Sequence, residues 1–237
     1  MVSFYSPRAL KSSWVRSNSG VQSLESRCED SRRLFLTLLP LFPLDLVLLP
    51  GTPLPLHIFE PRYREMISEC LDRSQHFGVI RGKEQELADV GCTAEILTVT
   101  KKYDDGRMDI VTEGRARFEV MQLNQERSFL QAEVLYLHDG PDLPSQDEIA
   151  QAMNLHGEIM TLAGAEPEKT SEISEALVSF HLAGSLPLDL DFKQALLAMK
   201  SESERLRAVI SFFETILPAM RRTVHVRRKA GGNGHAG

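Results

Sequence analysis

Cysteine is scarce: the chain has only Cys28, Cys70 and Cys92 among 237 residues, widely spaced and with no CxxC pair. An odd, scattered set of thiols supports neither a disulfide framework nor a zinc site, and it fits a reducing cytoplasm. Long apolar runs are lacking as well. The longest, from Leu34, is interrupted by Thr37, Pro40, Pro43 and Asp45 before about 18 apolar residues accumulate, so no membrane span is predicted.

Catalytic signatures are missing in the same way. There is no glycine-rich dinucleotide motif, no H-E-x-x-H and no G-x-S-x-G. The run Gly78 to Glu84 approaches a phosphate loop but lacks one residue of spacing and the hydroxyl side chain that would hold magnesium. His156-Gly157-Glu158 approaches a deaminase motif, yet no P-C-x-x-C follows it. No catalytic residue, metal ligand or cofactor is therefore predicted, and the expectation is a protein that is not an enzyme.

Positive charge is concentrated at the ends. Residues 1–24 carry Arg8, Lys11 and Arg16 with no acid, and residues 221–237 carry Arg221, Arg222, Arg227, Arg228 and Lys229 with none. Removing those eight charges from the net −6 leaves 25–220 at −14, a poor phosphate-binding body, which argues against a nucleic-acid partner. With 42% hydrophobic and 25% charged residues the chain is ordinary globular material, long enough to bury a sizeable core. Residues 1–33, rich in Ser and Arg and without period, are expected to be disordered.

What the sequence does have is a proline-punctuated apolar stretch, Leu41 to Tyr63, LFPLDLVLLPGTPLPLHIFEPRY. Pro43, Pro50, Pro53 and Pro55 forbid a continuous helix and remove ladder donors from a central strand, leaving short extended pieces that turn at Pro50-Gly51. Leu56 to Phe59 reads as a β piece. Glu60 is then the helix cap and Pro61 the first helical residue, with Tyr63, Met66, Ile67, Cys70 and Leu71 on the buried face. Leu46, Leu48, Leu49, Leu54 and Leu56 outnumber what a short edge needs for a core. They are candidates for binding an extended peptide, by strand addition or pocket docking, against the alternative that all face inward. Glu60 and Arg62 are either a cap with a local ion pair or contacts for a peptide's polar groups. His57 reads as a strand histidine pointing away from the core.

Further strands follow: His76 to Arg81, then AEILTVTKKY and RMDIVTEG around an Asp-Gly pair. A type I′ turn at Asp105-Gly106 would set Tyr103 against Met108 and Lys102 against Asp109. Gly114 is expected to end that strand. Ala116, Phe118 and Val120 mark the buried side of the next, with Arg115 and Arg117 on its wet face, and Leu130 to Tyr136 forms another. Past His138-Asp139-Gly140-Pro141 the period becomes helical. Ser145 with Glu148 opens a helix that Gly164 ends; Ile173, Leu177 and Phe180 stripe a second; Phe192, Leu196 and Met199 mark a third; Ser201 with Glu204 caps a fourth through Leu217. From Pro218 a fraying helix end and a disordered tail are expected.

The string L-F-P-L, P-G and P-L-H-I-F-E-P-R-Y resembles the N-terminal substrate-binding domain of the ATP-dependent protease Lon, a domain also present in cereblon and in small bacterial proteins. LPLDLDFKQALLAMKSESERLRAVISFFETIL resembles the end of that domain, so the likeness runs from about Leu36 to Leu217. The resemblance implies an α+β fold, a PUA-like antiparallel β-barrel domain (34–139) followed by a C-terminal helical bundle (144–220), between a 1–33 extension and a basic, Gly-rich 221–237 tail. It implies non-catalytic recognition of proteins or unfolded peptide segments, with a connection to an ATP-dependent protease. The rival readings are an RNA-binding PUA-like module and a peptidase label inherited from Lon. Oligomeric state is left open.

Ser31-Arg32-Arg33-Leu34-Phe35-Leu36 resembles a twin-arginine export signal. No A-x-A-like site follows, and its apolar core coincides with the first strand that the resemblance implies, so an arginine pair without export function is expected.

Overall fold

The computed structural model describes residues 37–83, 86–165 and 174–232. The expected disorder of 1–33, the arginine pair at Arg32 and Arg33, and Ile173 lie outside them. The chain divides into Met1–Leu36 and Thr37–Gly237, and all described residues belong to the second unit.

Strand β1 (Thr37–Leu44) is the seam of the sheet, pairing antiparallel with β7 (Gln131–Tyr136) and parallel with β3 (Phe77–Lys83). Because β3 pairs with β5 (Val90–Lys102), β5 with β6 (Met108–Asn124) and β6 with β7, the pairings close into a ring, the expected barrel with one parallel seam. A parallel pair needs a crossover, supplied here by β2 (Pro53–Ile58) and α1 (Pro61–Asp72). The two-residue β4 (Glu86–Leu87) turns back on β3. Leu39, Leu41, Ile80, Phe118, Ala132 and Val134 form one buried cluster inside the ring. A larger one joins β residues such as Phe42, Phe77 and Ile110 to α1 and to the helices beyond, as far as Leu217.

Strand β6 does not stop at Gly114. It runs unbroken to Asn124, and its first half pairs with β2 as well as β5. The glycine is there for close approach: a Cβ would lie 2.2 Å from the Leu49 carbonyl oxygen. The β5–β6 hairpin also differs from expectation by one residue, with Lys102 opposite Met108 and Lys101 opposite Asp109. Of its loop residues only Gly106 has positive φ, +84°, so a type I′ turn is excluded. Instead the Gly106 N–H donates to Tyr103 O and the Tyr103 N–H to Arg107 O, a three-residue loop with the glycine left-handed.

The helices are α2 (Gln146–Ala163), α3 (Val178–Gly184), α4 (Leu190–Ala198) and α5 (Glu202–Gly232). Ser145 and Glu148 make the reciprocal capping box, and Gly164 at φ +78° ends α2. The expected second helix is split, with Leu177 in a 3₁₀ turn ahead of α3. Helix α5 continues through Pro218 to Gly232, and the remainder of the expected disordered tail, 233–237, lies outside the described residues. The carbonyl that Pro218 leaves without a donor belongs to Glu214, and both residues are exposed, so water can satisfy it. On the buried side Leu206, Val209, Ile210, Phe213 and Leu217 hold the helix down, and Arg221 pairs with Glu158 of α2 at 2.6 Å.

Candidate functional site

The Leu49-Pro50-Gly51-Thr52 turn sets the geometry. Proline presets the first central position and Gly51, at φ +74°, takes the second, the requirement of a type II turn. The Thr52 N–H donates to Leu49 O at 3.2 Å, and Thr52 Oγ1 donates to the same carbonyl at 2.6 Å. The turn is then clamped onto β6, since Gly51 N–H donates to Gly114 O at 2.8 Å and Gly114 N–H to Thr52 O at 3.0 Å. This contact folds the apolar segment inward. Across it lies the C-terminal end of α3, where a Cβ on Gly184 would meet Thr52 Cγ2 at 2.2 Å.

Between these pieces is a cleft of about 190 Å³ with walls from Leu46, Leu48, Leu49, Leu54, Leu190 and Lys193. Four of the sequence-predicted residues are brought together there. Leu48 and Leu49 are core residues at 4% and 1% exposure, so for these two the inward-facing alternative holds, because the clamped turn buries them; Leu46 and Leu54 are half-buried. Leu56 lies further along β2, half-buried against the main core. Glu60 and Arg62 sit at the start of α1 and pair with each other at 2.8 Å. Glu60 occupies the cap position but its side chain makes no capping hydrogen bond. Lys193, Leu190 and Gly184 escaped sequence reasoning, since nothing in their local pattern points across to a loop more than a hundred residues earlier.

Strand addition does not suit these edges. In β2, Pro53 and Pro55 are exposed while Leu54 and Leu56 turn inward, so the outer edge lacks two donors. Beyond Ala94, where its pairing with β3 ends, β5 carries register shifts at Ile96/Thr98 and Val99/Lys101 and ends in two lysines, features that blunt an edge.

A second meeting of sheet and helices was not foreseen. Arg117, expected on a wet face, has a side chain only 4% exposed, and Arg205 of α5 is fully buried. Arg117 donates to Asp139 and to the carbonyls of Leu197 and Met199. Arg205 donates to Asp139 Oδ2 at 2.6 Å and to Glu202 Oε2 at 2.6 Å, while Glu202 also accepts from the Ser179 N–H and hydroxyl. Both guanidinium groups lie near the Phe180 ring. Burial pushes the Asp139 carboxyl up, but hydrogen bonds and charge from Arg205 and Arg117 outweigh it and hold it below the ordinary range. Burial raises Glu202 and is not fully offset, so its anion is held by donated hydrogen bonds at the cost of solvation. Every charge here has a partner, which makes this a structural joint. His57 is likewise engaged, its Nδ1 2.5 Å from Asp109 Oδ1 at an exposed position.

Among the described residues no cluster of three or more His, Cys, Asp or Glu could hold a metal ion, and no helix is long and apolar enough to cross a membrane.

Residues 38–215 match the family model described as the ATP-dependent protease La (LON) substrate-binding domain. The chain is 28% identical to Lon protease 2 of Myxococcus xanthus over 189 residues, 73% of this chain and 23% of that protein. It is 22% identical to the Lon protease of Cytophaga hutchinsonii over 223 residues, 86% of this chain and 27% of that one. It thus spans about a quarter of the length of these relatives. Among solved structures, the Lon N-terminal domain protein from Xanthomonas campestris superposes with a TM-score of 0.60 at 28% identity, over 74% of this chain and 98% of that one. The N-terminal domain of Mycobacterium avium complex Lon protease shares the fold, with a TM-score of 0.55 at 19% identity over 75% and 98%.

Proposed function

The chain belongs to the family of Lon substrate-binding domains, and from that premise we propose that it recognises proteins or unfolded peptide segments without itself carrying out chemistry on them. The observation that carries this reading is the cleft in which Leu46 and Leu54, packed against the core, stay only half-buried beside α4 and leave apolar surface open. Aliphatic walls bind by burial alone, so recognition is weak and degenerate, as suits clients that share exposed apolar residues and little else. Delivery of such clients to an ATP-dependent protease is part of the proposal, supported by the family. So is a reducing cytoplasmic setting. Cys70 and Cys92 are buried thiols whose acidities burial pushes to about 11 and about 12, leaving them unreactive there.

The test is capture of a permanently unfolded, carboxymethylated polypeptide by the full chain, compared with a Leu46→Asp, Leu54→Asp double variant of unchanged circular dichroism. These two positions are chosen because, unlike Leu48 and Leu49, they are not core residues. Capture by the parent and its loss in the variant is the expected result. Equal capture by both proteins would move recognition off this cleft, and no capture by either would remove the reading.

A further inference from the structure

The cleft contains one charge that it does not answer. Lys193 of α4 is half-buried against apolar walls, and among the described residues no carboxylate lies within ion-pair distance of it. The acids nearest in sequence are otherwise engaged: Asp189 Oδ1 caps α4 by accepting from the Asp191 and Phe192 N–H groups, and Asp191 pairs with Arg81 at 2.5 Å. Elsewhere the molecule treats buried cations differently, since Arg117 and Arg205 are both met by Asp139. Burial pulls the Lys193 ammonium below its ordinary value, the sign of a charge whose lost water no partner has replaced.

The shape of the cleft selects among anions. At about 190 Å³ it is smaller than the roughly 300–1,000 Å³ of pockets that enclose a drug-sized ligand, and it has room for about one aliphatic side chain with its carboxylate. Gly184 and Thr52, in contact across it, close one side. A chain running through along β2 would meet an outer edge denied donors at Pro53 and Pro55. A chain that ends in the cleft meets neither obstacle.

We propose that this cleft binds the C-terminus of a polypeptide whose last residue is aliphatic, the side chain lying among Leu46, Leu54 and Leu190 and the α-carboxylate on the Lys193 ammonium. The inference rests on the recognition reading and narrows it to a class of client. A single charge-assisted contact in a half-buried cleft supplies the discrimination that aliphatic walls lack.

The test uses the full chain and fluorescein-labelled peptides with a Gly-Ser body ending in Ala-Leu-Leu, as the free acid and as the C-terminal amide. A third peptide places the leucines internally and ends in Gly-Ser. Fluorescence anisotropy is expected to show the free acid binding about tenfold or more tighter than the amide and the internal-leucine peptide. Lys193→Met, which keeps the apolar stem, is expected to lower the free acid to the affinity of the amide, with an unchanged thermal midpoint. Equal binding of acid and amide by the parent would overturn the proposal and leave Lys193 a side chain that merely covers apolar surface with its head in water. A preference that survives in Lys193→Met would overturn it too, as would equal binding of the internal-leucine peptide. The carboxymethylated polypeptide, measured alongside, separates the two readings. If it binds while the peptides show no preference, only the C-terminal inference falls; if nothing binds, both fall.

Discussion

Two of the places where sheet and helices meet in this molecule are built on opposite principles. At one, Arg117, Arg205, Asp139 and Glu202 are buried and mutually satisfied, with Phe180 against the guanidinium groups. At the other, the Pro50-Gly51 turn faces α4 across aliphatic walls and a lone lysine. The comparison sets a joint that holds the fold beside a cleft proposed to bind. A closed set of buried charges gains little net stability but penalises any displacement that opens it, so it fixes where the helices sit. On the proposed reading, an apolar cleft with an unanswered cation contributes less to the fold and leaves interaction capacity for another molecule.

The largest expected effect comes from opening the charged joint. Arg205→Met would leave Glu202, 1% exposed, without its cation, and should destabilise the fold by about 3–5 kcal/mol, read as a lower urea midpoint. An unchanged midpoint would mean that the joint does not hold the two parts together. Next is the clamp behind the cleft. Gly114→Ala forces a Cβ against the Leu49 carbonyl, a backbone atom that cannot rotate away, and should cost about 1–3 kcal/mol while weakening capture of the unfolded probe. Loss of stability with full capture would show that the turn does not shape the cleft.

The smallest effect sharpens the comparison by showing that exposed charges differ from buried ones. The Glu148 carboxyl is held at about 2, first by the Ser145 backbone N–H, then by Arg207 and the Ser145 hydroxyl. In the unfolded chain it returns to its ordinary 4.5, so the unfolded state takes up the proton first as pH falls. Its contribution is therefore complete above about 4.5 and is lost as pH drops towards 2, and Glu148→Gln should flatten that part of a stability–pH curve. Identical curves for parent and variant would contradict the assignment.

Legibility in the sequence followed the range of the interactions. The Pro-Gly turn, the proline-started α1, the Ser145 box and the Gly164 stop depend on neighbours within a few residues, and each was readable. Gly114 was read as a strand end because a glycine needed for close approach has no local mark distinguishing it from one that breaks a strand. Arg117 misled for a related reason: strand alternation put it on the wet side, and only Asp139 and Arg205, from other elements, turn that side into an interior. At the cleft, the leucines were legible as a surplus of apolar residues. Which of them turn inward, and the lysine opposite them, were not, because both depend on how α4 crosses the turn.

The most direct test of the account is an amide hydrogen-exchange footprint of the full chain with and without the carboxymethylated polypeptide. Recognition through the cleft predicts added protection at Leu46 to Thr52, Leu54 and Gly184 to Lys193, with no change around Asp139 and Glu202 to Arg205. Protection confined to the charged joint, or to the exposed Leu38 and Leu135 on the outer sheet, would contradict the division of roles between the two junctions.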